Sequence, residues 1–122
     1  MVLATKQAFD LIQQANFKQV DQVFTNNVPS NVGNDQTIIL ITDVLSKPDL
    51  YGNNHIITMD KQVEVQIFYT VDIDYDPDEL ESPLIELFDN AGWELKDVRG
   101  HTVDPDTSQM TATYYFQITN FL

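Results

Sequence analysis

The 122-residue chain contains no cysteine. Disulfides, thiolate nucleophiles and Cys-based zinc sites are therefore excluded, and the composition suits a reducing compartment. Basic residues are scarce as well. Six Lys and Arg stand against 19 Asp and Glu, for a net charge of −13. Contact with phosphates by counterion release needs Lys and Arg, so the composition argues against ordinary nucleic-acid binding and against an anionic membrane surface. Only four glycines occur, none of them clustered, which leaves no P-loop or dinucleotide fingerprint. No stretch approaches the roughly 20 apolar residues of a membrane span. The first residues, Met-Val-Leu-Ala-Thr-Lys-Gln, hold no apolar run of signal-peptide length.

What is present is an ordinary globular composition, 43% hydrophobic and 20% charged, in a length that suits one domain over residues 1–122. The charge is lopsided. Residues 1–61 carry six acids and four lysines, whereas residues 62–122 carry thirteen acids against Lys96 and Arg99. Acid keeps a protein soluble, and it also keeps a surface from sticking to DNA.

The strongest pattern lies at residues 62–76. Val63, Val65, Ile67, Tyr69, Val71, Ile73 and Tyr75 alternate with mostly polar or acidic residues that end in Asp72, Asp74 and Asp76. A period of two predicts one long strand with a wet face. A helix is predicted over 5–15, with Thr5 as N-cap and Ala8, Leu11, Ile12 and Ala15 facing inward. A short strand is expected near 20–24 and a loop over 26–35. A strand covered on both faces is expected at 38–45. Residues 46–55 read as a second loop, and 56–59 as a strand turning through Asp60-Lys61 into the long one. Asp76-Pro77-Asp78-Glu79 reads as a helix start, with Pro at the first helical position. The apolar stripe Leu80, Leu84, Leu87, Phe88 and Ala91 follows, and Gly92 closes it. Pro83 should kink this helix or restart it with Ser82 as a new cap. A strand with a bulge near Asp97 comes next, then a turn at 104–107. In the last strand Met110, Ala112, Tyr114, Phe116 and Ile118 face in, and Gln109, Thr111, Thr113, Gln117 and Thr119 face out. The order predicts an α+β fold: a mostly antiparallel sheet of about four to five strands packed by two helices.

Chemistry-bearing patterns are thin. An EF-hand starting at Asp72 would need Gly and Glu where Pro77 and Pro83 stand, so it is rejected. A looser cation site among the aspartates competes with a solvated face running into a helix cap. His101, Asp104 and Asp106 could meet around a metal, yet a turn accounts for the two aspartates. No serine sits in a Gly-x-Ser-x-Gly elbow. These residues predict no enzyme, cofactor or metal site. Trp93 reads as a core anchor. Tyr115 points opposite to its neighbours, either as strand decoration or as an interface residue.

Three segments carry a family resemblance: Tyr51-Gly52-Asn53-Asn54, Val63-Glu64-Val65-Gln66-Ile67-Phe68-Tyr69, and Asp104-Pro105-Asp106-Thr107-Ser108-Gln109 leading into Tyr114-Tyr115-Phe116. In order and spacing they resemble small proteins from the tail-module genes of siphophages and prophages of Gram-positive hosts, over nearly the whole chain. That family, once described only as a domain of unknown function, looks like the tail-terminator or tail-to-head joining proteins. The resemblance implies a structural virion protein at the head-proximal end of the tail, assembled in the host cytoplasm. Its implied partners are further copies of itself, six in a ring, the major tail tube protein and a head-completion or connector protein. DNA would pass through the ring without specific binding, and no membrane would be involved. On this reading Asp72, Asp74 and Asp76 line the channel. Tyr51, Gly52, Asn53, Asn54 and Tyr115 belong to assembly interfaces, and loops 26–35 and 46–55 contact the tube or the neighbouring subunit. A head-completion or connector protein is the alternative within the same class, and a cation-binding module is the alternative outside it.

Overall fold

The computed structural model describes residues 3–122. It contains the helices α1 (Ala4–Ala15) and α2 (Asp78–Asn90) and the strands β1 (Gln22–Thr25), β2 (Ile38–Gly52), β3 (His55–Phe68), β4 (Glu94–Val103) and β5 (Met110–Phe121). The strands form one sheet in the order β1-β2-β3-β5-β4. β1 runs parallel to β2, and the other three pairings are antiparallel. The α+β architecture, with two helices on a five-stranded sheet, is the expected one.

The core lies between the helices and one sheet face. Ile39, Ile41, Val63, Val65, Ile67, Ala112 and Phe116 meet Ala8, Ile12, Leu80, Leu84 and Phe88. Phe88 stacks on Phe116 at 4.2 Å between ring centroids and meets Trp93 edge-on at 5.3 Å. Trp93 is thus a core anchor, buried immediately before the exposed strand β4.

The ends of α2 follow local rules. Asp76 Oδ1 accepts the Asp78 N–H at 3.0 Å, and Pro77 already has helical dihedrals, so Asp76 caps and Pro77 opens the helix. At the other end Gly92 has φ +89°. Its N–H bonds Asp89, and the Trp93 N–H bonds Phe88. This paired closure needs a left-handed residue, for which glycine carries no Cβ penalty. The helix runs unbroken through Pro83. Ser82 starts no new helix; its hydroxyl donates to Asp78 Oδ1.

Several expectations are corrected. Thr5 does not cap α1: it is buried inside the helix, and Leu3 holds the cap position. The buried stripe of α1 is Ala4, Thr5, Ala8 and Ile12, with Ala15 exposed. The turn into β3 is not Asp60-Lys61 but Asn53-Asn54, at φ 50° and 64°. Both sit in the left-handed region that a two-residue type I′ turn demands and that Asn tolerates. Residues 46–52 are therefore strand rather than loop. Pro48 is tolerated because β1 ends opposite Ile41, leaving this stretch of β2 with no outer partner among the described residues. Gln109, just before β5, and Thr111, near its start, are buried rather than open to solvent. Gln109 Nε2 donates to the Gln36 carbonyl, and Thr111 bonds Thr102 hydroxyl to hydroxyl at 2.8 Å. The bulge expected near Asp97 is present as a register shift between Leu95 and Asp97.

The long strand begins earlier and stops earlier than its pattern predicts. β3 ends at Phe68, and residues 69–77 cross in turns and coil. The alternation beyond Tyr69 is real but reports packing, not pairing. Ile73 and Tyr75 lean on the core while Asp72, Asp74 and Asp76 face solvent. The Thr70 N–H donates to Thr37 Oγ1, the Val71 N–H bonds the Asn34 carbonyl and the Tyr75 hydroxyl meets Thr37 Oγ1, so this segment is tied down without joining the sheet.

Candidate functional site: two sheet edges and a buried carboxylate

β2 and β3 continue past the helices as a bare two-stranded arm tipped by Asn53-Asn54, and the end of β5 runs beside it from Thr58↔Phe121. Along β3 the apolar burial gives way to buried polar residues, Asp60 and Thr58, and then to exposure at the tip. Val63, Val65 and Ile67 are fully buried, whereas Ile56 is 40% and Ile57 37% exposed. Leu45, Leu50, Tyr51, Phe121 and Leu122 add further exposed apolar surface. Polar groups stiffen the arm: Thr119 Oγ1 donates to Asp60 Oδ1 at 2.5 Å and the Leu50 N–H donates to Thr58 Oγ1 at 3.0 Å.

Tyr51, Gly52, Asn53 and Asn54 therefore occupy the arm's tip. Tyr51 is 56% exposed, and a side chain on Gly52 would meet Ile57 Cδ1 at 2.6 Å. Tyr115 is elsewhere. It pairs with Glu64, eight residues along β3 from the partner of Tyr51, which is roughly 26 Å at about 3.3 Å per residue. It stands on the sheet face opposite the core. Its hydroxyl donates to Glu64 Oε2 at 2.7 Å, and Arg99 lies 5.6 Å above its ring. The Glu64 hydrogen bond, with burial and that carboxylate's charge behind it, raises the Tyr115 pKa. The five residues grouped as assembly surface thus fall on two separate places.

Asp72, Asp74 and Asp76 are all exposed. They share one loop but not one task, since Asp76 is engaged in the α2 cap. Among the described residues no three His, Cys, Asp or Glu converge to hold a metal ion. His101, Asp104 and Asp106 do not gather either. Asp104 Oδ1 accepts the Asp106 N–H within the turn, and His101 points to a different acid.

That acid is Glu81, which the sequence reading missed. It is 4% exposed and sits beneath the first turns of α2. Tyr69 donates to its Oε2 at 2.5 Å, Tyr114 donates to its Oε1, and His101 Nε2 lies 2.7 Å from Oε2. Burial, then the hydrogen bond to Glu81, raises the pKa of both tyrosines far above the ordinary phenol value. Four elements or their flanks are thereby clamped at one carboxylate: the end of β3, α2, β4 and β5. Both carboxylate oxygens are occupied, and only the imidazole reaches solvent, with its side chain 46% exposed. This is a fastening rather than an open reaction centre. Two signals pointed to it. Glu81 shares the apolar stripe with Leu84 and Phe88, and a tyrosine on an inward face needs a partner for its hydroxyl.

The last element is β4. All ten of its residues are exposed, and among the described residues it closes the sheet with no strand on its outer side. Residues 43–52 of β2 are equally bare on theirs.

Residues 3–119 match the profile of a family described as protein of unknown function (DUF806). The chain belongs to the DUF806 family. No curated protein matches it. The match takes in every element from α1 through nearly all of β5, including the arm, both free edges and Glu81. The DUF806 description carries no activity.

Proposed function

We propose that this protein is a structural component of a phage tail: a terminator that caps the tail tube as a ring, six-membered by its resemblance to tail-terminator proteins, and offers the joining surface for the head. The observation that carries the reading is the pair of unlike, unpaired sheet edges on one small domain, a geometry that supports head-to-tail assembly. The three resembling segments give the tail its place in the reading. Its partners on this view are further copies of itself, the major tail tube protein and a head-completion or connector protein. Its place is the head-proximal end of the tail, reached in the host cytoplasm.

The acid distribution supports passage of DNA without binding. Asp72 and Asp74 are exposed carboxylates free of any role in the α2 cap, and acid facing a channel repels phosphate. Their proposed role is channel lining. Asp72→Lys with Asp74→Lys should leave particles assembled but impair DNA ejection; full infectivity of that double variant removes the role.

Deletion of the gene from its phage, with electron microscopy of the induced lysate, tests the reading as a whole. Overlong headless tubes beside filled heads are expected. Tails of normal length beside leaking heads would move the protein to the connector, and normal infectious particles would end the tail reading.

A further inference from the structure

We propose that copies of this chain join head to tail through their two free sheet edges. The outer edge of β4 in one copy would meet the outer edge of residues 43–52 of β2 in the next. The closed form of this contact rests on the ring reading above; the choice of surfaces rests on the sheet and on the charge map.

The two edges match in length, ten residues each. Both are exposed, and both present unpaired backbone that seeks a strand. Each carries apolar side chains into solvent, Leu95 and Val98 on β4, Leu45 and Leu50 on β2. Register shifts divide them, at Leu95/Asp97 and Arg99/Thr102 on one edge and at Asp43/Leu45 and Pro48/Leu50 on the other. Pairing is thereby confined to the short runs between the shifts, which blunts indiscriminate aggregation.

Charge identifies the occupant as a second copy. Two chains of net charge −13 repel, and contact is cheapest where acid is thinnest. Residues 43–52 set Lys47 against Asp43 and Asp49, and β4 sets Lys96 and Arg99 against Glu94 and Asp97. Three of the six basic residues therefore stand on these two edges. Elsewhere fifteen acids face only Lys6, Lys18 and Lys61. The two surfaces lie at unlike edges, so the contact is heterologous and propagates into a ring or an open chain.

The absence of cysteine makes the test clean. Leu45→Cys and Val98→Cys are placed on exposed positions, and circular dichroism checks that each variant folds. The two are mixed at high concentration and treated with a short bis-maleimide, which tolerates a register offset. Cross-linked dimer should form in the mixture and not in either variant alone. The doubly substituted chain should give a ladder of oligomers. Dimer formed as strongly by one variant alone would make the contact isologous and overturn the proposal. A chain that stays monomeric and uncross-linked at its highest soluble concentration would overturn it as well. Neither result touches the tail reading, which the deletion answers. A mixed cross-link together with normal particles on deletion would keep the edge contact and discard the tail role.

Discussion

β3 passes through two environments without changing its conformation. In its second half Val63, Val65 and Ile67 are fully buried beneath α1 and α2; in its first half Ile56 and Ile57 stand in solvent. Backbone pairing runs along both halves, with β2 on one side from His55 onward and β5 on the other from Thr58 onward. What differs is the layer on top. Hydrogen-bonded strands alone are marginal in water, and the helices supply the apolar burial that makes one half a core. The bare half is free for work, and its uncovered apolar surface is what an assembly contact would bury.

The sharpest break of this contrast uses one residue type in both places. Phe88→Ala removes a ring stacked between Phe116 and Trp93 and should cost about 3–5 kcal/mol. Phe121→Ala, at a position 76% exposed, should stay within about 0.5 kcal/mol. Chemical denaturation of the two variants decides it. Equal losses would mean that the arm belongs to the same cooperative core.

A second break removes the clamp. Glu81→Ala leaves the Tyr114 hydroxyl stranded, at roughly 1–3 kcal/mol, and leaves the Tyr69 hydroxyl with only the Pro77 carbonyl at 3.3 Å. Adding Tyr69→Phe and Tyr114→Phe to it should recover part of the loss, because two apolar rings then need no acceptor. No recovery in denaturant melts would mean that the hydroxyls find other partners.

The third concerns pH. The folded-state pKa values of Tyr69 and Tyr114 lie above their unfolded values. A raised value means that the folded state holds its protons longer, so this stability is complete below about pH 10, the unfolded phenol value, and falls as pH rises beyond it. Each group contributes a slope of up to about 1.4 kcal/mol per pH unit there. Thermal melts from pH 8 to 11 should show the decline, and Tyr69→Phe with Tyr114→Phe should flatten it.

The smallest effect sharpens the contrast at the arm's tip. Asn54→Gly, at φ 64°, relieves a left-handed residue and should gain less than about 1 kcal/mol locally. Hydrogen exchange should slow at arm amides such as Leu50 and leave β5 amides opposite Val65 unchanged. A uniform shift would make arm and core one unit.

Legibility followed locality. The start of α2 at Asp76-Pro77, its closure at Gly92 and the bulge near Asp97 rest on neighbours in the chain, and each was readable. The arm was not. Ser46, Lys47 and Pro48 look like loop because strand there depends on Lys61, Asp60 and Met59 across the turn. With no core above them, no apolar alternation marks them. The alternation from Val71 to Tyr75 misled in the opposite direction, since alternate burial arises wherever a chain skirts a core. Glu81 was half legible: its place on an apolar stripe was visible, but its partners are 12, 20 and 33 residues away.

The amino-acid sequence by itself determined the class of fold, the termini of α2, the inward face of β5, the acid excess and the want of cysteine. These depend on periodicity, capping chemistry and composition, all of which are local or additive. The tertiary structure alone decided how far β2 and β3 reach, which edges stay unpaired and which carboxylate the tyrosines share. Those outcomes depend on which distant segments meet, and on where a four-residue β1 happens to stop covering a fifteen-residue β2.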